Sequence, residues 1–290
     1  MRYILLYTLC IFVASCTREL SEVPESTDSG DWLPALTRAD VGTEATIAGF
    51  SSETATNARF SKDVVCTDKE KNIWEWQPAS VSPSLNGIAL LTASIPPIDM
   101  SKATIPLNQS ELSRYPKGLQ LGYAPAQQNA VNAIKVYHRL AQLDLDCEGT
   151  YFLNDNIDLY LASVAEVDFR TATIKTASGK KAYTLPLENK SSIVLTILPQ
   201  TFKQGEILFQ YWYGNTKYTY RLEKDLVVSN NQRLKVRISP GEEHTEPKPG
   251  GGGGGGGDDK PDPPATVKIS VTTSTITEWI TGSGSVVPVK

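Results

Sequence analysis

Two histidines, two methionines and four cysteines in 290 residues leave few of the side chains from which metal centres and nucleophilic sites are built. His138 and His244 stand alone, and no CxxC pair accompanies them, so a zinc site would lack ligands. His138 lies in an alternating stretch and reads as a structural side chain. HExxH and G-x-S-x-G are both missing, and Gly282-Ser283-Gly284-Ser285 has no histidine near it. Asn154-Asp155-Asn156-Ile157-Asp158 has calcium-loop residue types but neither the glycine nor the distal glutamate of an EF-hand. A basic surplus is missing too. The net charge of -4 and pI near 5.4 give no field for a nucleic-acid partner. The sequence therefore predicts no enzyme, no metal and no cofactor.

Long apolar runs are equally scarce. Ile4 to Val13 (ILLYTLCIFV) is the main one, too short to span a bilayer of roughly 30 Å but right for a secretory h-region behind Arg2. Val13-Ala14-Ser15-Cys16 follows, with the form of a lipobox: an apolar residue, two small ones and a cysteine. This predicts a signal peptide over residues 1–15, cleavage between Ser15 and Cys16, and lipid on the Cys16 thiol. A chance cysteine behind an ordinary signal peptide is the competing reading. Cys10 leaves with the signal, so Cys66 and Cys147 remain, either as a single disulfide or as two buried thiols.

Residues 16–40 read as a lipidated tether and pro-segment. Ser21 to Gly30 is polar, acidic and turn-rich, with little to bury. Trp32, Leu33 and Leu36 then bring apolar side chains back before Thr37-Arg38-Ala39, where an arginine offers a trypsin-like cut.

From residue 41 the chain predicts short strands. Candidates are Ala45 to Phe50, Ile88 to Ala93, Ile134 to Leu145, Ile157 to Val164, Ala172 to Thr176, Ala182 to Leu187, Ser192 to Leu198, Glu206 to Tyr213, Lys217 to Leu222 and Arg233 to Ile238. The cleanest alternation puts Ala141, Leu143, Leu145 and Cys147 inward, with Gln142, Asp144, Asp146 and Glu148 outward. One short helix is expected over Pro125 to Val131. Such spacing predicts an all-β protein of two tandem β-sandwich domains, over 41–166 and 167–290, with the boundary near Glu166.

Several of these stretches together resemble the fimbrillins, lipoprotein precursors of the type V pili of Bacteroidales. They are the lipobox at Cys16, Thr-Arg-Ala at 37–39, "VYHRLAQLDL" (Val136 to Leu145), "YGNTKYTYRL" running into "LVVSNNQRLKVRIS", and the late "ITEW" (Ile276 to Trp279). The resemblance covers nearly the whole mature chain through the order and spacing of its motifs. It implies two sandwiches, delivery to the outer membrane as a lipoprotein, and cleavage after an arginine. That cut removes an N-terminal strand and opens a groove, which C-terminal strands of another subunit fill. Arg38, with Ala39 as the new N-terminus, is the first processing candidate, and Arg59 the second. The implied location is the outer membrane for the precursor and a cell-surface fimbrium after maturation. Implied partners are other pilus subunits, with a host or bacterial surface receptor.

The tail carries the donor candidates. Eight consecutive glycines at 250–257 lie in a Gly/Pro-rich linker over 241–264. A phosphate-binding loop is excluded because Asp258-Asp259 follows the glycines where Gly-Lys-Ser/Thr would be needed. Val267, Ile269 and Val271 alternate with polar residues, then come Ile276, Trp279 and a final valine-rich stretch. Two short strands are expected within 265–290. A flexible linker of that length reaches on the order of 25 to 30 Å, about one domain's width. The tail thus completes either its own sandwich or a neighbour's. The competing function is a lipid-anchored glycan-binding lipoprotein using aromatics such as Trp74, Trp76, Tyr211, Trp212 and Tyr213.

Overall fold

The computed structural model describes residues 34–36, 40–79, 82–128, 132–147, 156–176, 179–187, 192–213, 216–240, 267–277 and 287–288. Ser15, Cys16, Arg38, Ala39 and Trp279 lie outside them. The described chain is all β apart from one 3₁₀ helix, Gln109–Arg114.

Its strands, in chain order, begin with β1 (Pro34–Leu36), β2 (Glu44–Phe50), β3 (Phe60–Asp68), β4 (Ile73–Gln77), β5 (Leu90–Ile95), β6 (Thr104–Asn108), β7 (Gln120–Pro125), β8 (Asn132–Ile134) and β9 (Val136–His138). Next come β10 (Ala141–Cys147), β11 (Asn156–Ala162), β12 (Val164–Asp168), β13 (Thr173–Thr176), β14 (Lys180–Pro186), β15 (Ser192–Ile197) and β16 (Gln200–Phe202). The remainder are β17 (Ile207–Tyr213), β18 (Thr216–Arg221), β19 (Leu226–Val228), β20 (Gln232–Pro240), β21 (Val267–Thr275) and β22 (Val287–Pro288).

Six of the early strands form one sheet in the order β4-β3-β2-β5-β7-β9. Its central strands β2 and β5 are buried on both faces, which is why they read as runs of apolar and small residues rather than alternations. Ile47, Val64, Trp74, Trp76, Leu91 and Ile134 form the core on one face, closed by the parallel pair β1–β8. Phe50, Leu90, Met100 and Leu121 belong to the core on the other face, which they share with Ala165, Val167, Phe169 and Leu198 from the second half of the chain.

The C-terminal half is a two-layer sandwich. The sheet β15-β10-β20-β21 packs on the sheet β18-β17-β11-β14-β22. Leu143, Leu145, Leu159, Leu195, Phe209 and Val236 fill the space between them. Stacked cross-strand rings extend that core, with Phe209 over Tyr220 at 5.2 Å and Tyr211 over Tyr218 at 5.0 Å.

The pairings redraw several expectations. Ile134 to Leu145 is three strands, and the chain changes sheets between His138 and Ala141. β10 and β11 hydrogen-bond to strands that begin at Lys180 or later, whereas Glu166 sits inside β12, between β6 and β13. A boundary drawn at Glu166 would thus cut a three-stranded sheet. Pro125 ends β7, residues 126–128 are not helical, and Gln127 pairs its backbone with the Asn132 side chain, while the rest of the expected helix, 129–131, lies outside the described residues. Gln142 is buried, against the outward reading, because β10 lies between two neighbours and Arg233 donates to its Oε1 at 3.1 Å.

A buried glutamine ties the two halves together. Gln109 Nε2 donates to the Thr196 carbonyl at 3.1 Å, and its Oε1 accepts from Leu198 N–H at 3.0 Å. Gln109→Leu keeps the volume but strands both backbone groups, at about 1–3 kcal/mol for each unsatisfied partner. Urea denaturation is expected to show a loss of about 2–4 kcal/mol; an unchanged midpoint would show that the two contacts contribute nothing.

Candidate functional site

The first region of interest is the start of the described chain. β1 runs parallel to β8, with Pro34 beside Asn132, Ala35 beside Ala133 and Leu36 beside Ile134. Leu36 is fully buried in the core formed by Trp74, Ile47 and Ile134. Its carbonyl accepts from Trp74 Nε1 at 3.3 Å, and the same indole N–H also points to Asn72 Oδ1 at 3.0 Å. Asn132 holds the opposite strand in place, since its side chain accepts from Gln127 N–H at 2.8 Å and donates to the Gln127 carbonyl at 3.0 Å. The sequence marks Leu36 as apolar, but its partners are 38 and 98 residues away, and no local pattern could have named them.

Four residues later the chain is fixed again, now at the surface. Lys69 Nζ lies 2.5 Å from Asp40 Oδ1. The hydrogen bond and charge of Lys69 hold the Asp40 carboxyl below its ordinary range. Thr43 Oγ1 accepts from Asp40 N–H at 3.1 Å, and Thr43 N–H donates back to the Asp40 carbonyl at 2.9 Å, closing a turn. Residues 37–39, which include Arg38, therefore join a buried apolar anchor to an exposed ionic one. Arg59, the other processing candidate, is exposed directly before β3, with its N–H bonded to the Gly49 carbonyl at 2.7 Å.

The second region is the tail. Both expected strands form, and both pair with strands of the chain's own second half. β21 runs antiparallel to β20 over nine residue pairs, from Val267 opposite Pro240 to Thr275 opposite Gln232. Ile269 lies opposite Ile238 and Val271 opposite Val236, and both are half-buried against the sandwich core. Ile276 is buried outright; its N–H donates to the Asn231 carbonyl at 2.9 Å and its carbonyl accepts from Asn231 Nδ2 at 3.3 Å. β22 adds to the other layer through β14. The two strands therefore occupy the edges of both layers.

Neither thiol is poised for chemistry. Cys66 and Cys147 are free, and each is buried in a different core, so the pairing left open by the sequence does not form. Burial raises the Cys66 thiol, and burial with Asp146 beside it pushes Cys147 up to about 12, leaving both protonated at neutral pH. Among the described residues no three His, Cys, Asp or Glu side chains gather as a metal site. A cavity of about 560 Å³ lies beside β16 and β19. Its polar groups face one another: Lys180 pairs with Glu206 at 2.5 Å, and Gln200 accepts from Ala162 N–H and donates to the Leu198 carbonyl.

The aromatics expected to bind sugar are spent on packing. Trp74 and Trp76 are two residues apart on β4 and so share one face, the inner one, with exposed Glu75 between them. Tyr211 is buried in the second core. None of these three offers a ring to a ligand, while Trp212 and Tyr213 have side chains outside the described residues.

No family model and no curated protein matches this chain. Solved structures do. A candidate cell adhesion protein from Bacteroides uniformis superposes with a TM-score of 0.57 at 9% identity, covering 87% of this chain and 100% of its own. A second, from Bacteroides ovatus, gives 0.50 at 11% identity over 86% of this chain and 97% of its own. At such identities the likeness is one of fold: an all-β, multi-sheet architecture found in candidate cell adhesion proteins of these bacteria.

Proposed function

We propose that this protein is a structural or adhesive subunit of a cell-surface pilus, of fimbrillin type. In this reading it is exported as a lipoprotein through Cys16, cut between Arg38 and Ala39, and assembled by exchange of C-terminal strands. The observation that carries the proposal is Leu36, a fully buried side chain on a three-residue strand that ends two positions before Arg38. A cut there detaches a core-filling strand from everything that follows it. The vacated site is a slot beside β8, lined by Trp74, Ile47 and Ile134, of the kind an extended donor fills with backbone bonds and alternate side chains.

Arg38 fits this role better than Arg59. Cleavage after Arg59 would sever the chain between β2 and β3, and β2 is a central strand that carries Ala45, Ile47, Ala48 and Phe50 into two cores. Losing it would dismantle the sheet and not merely open it.

The tether supports exchange as well. It joins Pro240 to Val267, which are direct cross-strand neighbours. Such partners stand about 4.5–5.5 Å apart, a gap that a two-residue turn closes. The intervening chain, 241–266, is far longer than its own hairpin needs, and by reach alone it can deliver β21 to the next subunit.

Mass spectrometry of the surface-exposed protein tests the proposal. The expected N-terminus of the polymerised form is Ala39. A surface form that retains lipidated Cys16 and never enters fibres would overturn it.

A further inference from the structure

At the β9 edge of the six-stranded sheet, on the face that carries Leu121, two rings stand uncovered. Tyr123 on β7 is 51% exposed and Tyr137 on β9 is 55% exposed, the two aromatic members of the exposed large hydrophobic residues described. β7 and β9 are antiparallel, with Leu121 opposite Tyr137 and Gly122 opposite Val136. Tyr123 and Tyr137 are therefore diagonal neighbours on one face, a relation that places them about 7–8 Å apart. The approach of the two strands depends on Gly122, since a Cβ there would overlap the Lys135 carbonyl oxygen. The rings are thus set side by side by backbone contact.

Arg139 stands next to them. Its guanidinium carbon lies 5.4 Å from the centre of the Tyr137 ring, and its N–H is bound to the Leu119 carbonyl at 2.8 Å. The side chain is half-buried, and its Nε is shielded from solvent without a hydrogen-bond partner. Among the described residues no ion pair includes it. Burial pulls the group below its ordinary pKa, and the side chains acting on its charge are Tyr137 and Tyr123, with no carboxylate among them. A half-buried cation left uncompensated in a protein of net charge -4 is unusual, because acids are available to pair with it.

We propose that Tyr123, Tyr137 and Arg139 form a binding site for a carboxylated sugar. The pyranose ring lies on the two tyrosine faces, and its carboxylate bonds the guanidinium. Each part of the site answers one part of that ligand. Exposed aromatic faces stack on the C–H surface of a sugar ring, and a planar guanidinium accepts a carboxylate in bidentate fashion. A neutral sugar would leave the arginine as uncompensated as it is in the free protein. The proposal does not depend on the pilus reading, since the site lies on the opposite face of the sheet from Leu36.

Calorimetry on the intact protein tests it with three probes: a sialic-acid-terminated trisaccharide, a glucuronic-acid disaccharide, and lactose as the neutral control. At least one acidic probe is expected to bind, with lactose weaker by about ten-fold or more, the scale of a lost hydrogen bond to a charged group. Which acidic probe binds identifies the sugar acid. Arg139→Gln is expected to reduce that affinity by a similar factor, and Arg139→Lys to restore little of it because the bidentate contact is lost. Tyr123→Ala, an exposed change expected to leave the melting temperature unaltered, should weaken binding several-fold. The site is overturned if neither acidic probe binds at millimolar concentration, if lactose binds equally well, or if Arg139→Gln and Tyr123→Ala both leave affinity unchanged.

Discussion

Leu36→Ala is expected to destabilise the uncut chain by about 2–3 kcal/mol and to leave the chain beginning at Ala39 unaffected. The first half of that expectation follows from burial. Leu36 is fully enclosed by Trp74, Ile47 and Ile134, and truncating an enclosed leucine costs its transfer energy plus that of the cavity left behind. The lower part of the usual range applies because β1 is only three residues long and sits on a two-stranded sheet, so its surroundings can collapse. The second half follows from the proposed cut, which lies between Leu36 and everything else the chain folds with. Urea denaturation of three samples, the uncut chain with and without the substitution and the chain beginning at Ala39, separates the two effects. Trp74 supplies an independent readout, since its indole N–H loses the Leu36 carbonyl when β1 leaves but keeps Asn72 Oδ1. Its fluorescence should shift to the red on cleavage. Equal stability of the cut and uncut chains would show that β1 fills nothing the fold requires, and the pro-strand reading would fall with it.

The parts of this fold that were legible in the sequence are those whose burial is set by neighbours close in sequence. β2 and β5 stand out because both of their faces are covered, so every residue after Glu44 is apolar or small. β10 stands out because its alternation follows the sandwich core, and Gln142 escaped the pattern because its partner, Arg233, is 91 residues away. β3 was passed over because its first half, Ser61 to Asp63, is polar and at the surface, and β6 because Pro106 interrupts it. Where one half gives way to the other was hard to read for a related reason. A strand's own residues say that it has one buried face, but not which sheet buries it, and β10 and β11 join strands far downstream. The candidate sites divide the same way. That the tail would form strands was visible in Val267, Ile269 and Val271, whereas the acceptor was not. Tyr123 and Tyr137 went unnoticed because their exposure is a property of the sheet edge and not of their neighbours in the chain.

Deleting residues 265–290 is expected to lower stability by about 5 kcal/mol, comparable with the whole folding free energy of many domains. Read from sequence, the tail completes either its own sandwich or a neighbour's. The pairings make it part of the sandwich. Deletion removes the buried Ile276, the half-buried Ile269 and Val271, and nine residue pairs that cover β20. It also leaves β20 as a bare edge, beside a core with a missing wall, which invites aggregation. If the tail is a strand that can be exchanged, a synthetic peptide spanning residues 265–277 should restore the melting temperature of the truncated chain when added in trans. A peptide carrying Val271→Asp should not, because it places a charge opposite Val236. The long tether itself tilts the balance towards exchange. A loop of 26 residues in place of a two-residue turn costs about 2 kcal/mol in closure entropy, at about 0.6 kcal/mol per doubling, so the long tether weakens self-pairing without abolishing it. Replacing 241–266 with Asn-Gly should therefore raise the melting temperature and at the same time prevent fibre formation, since the strand can no longer reach a neighbour. Fibres formed by that short-turn variant would show that β21 is not the strand passed between subunits.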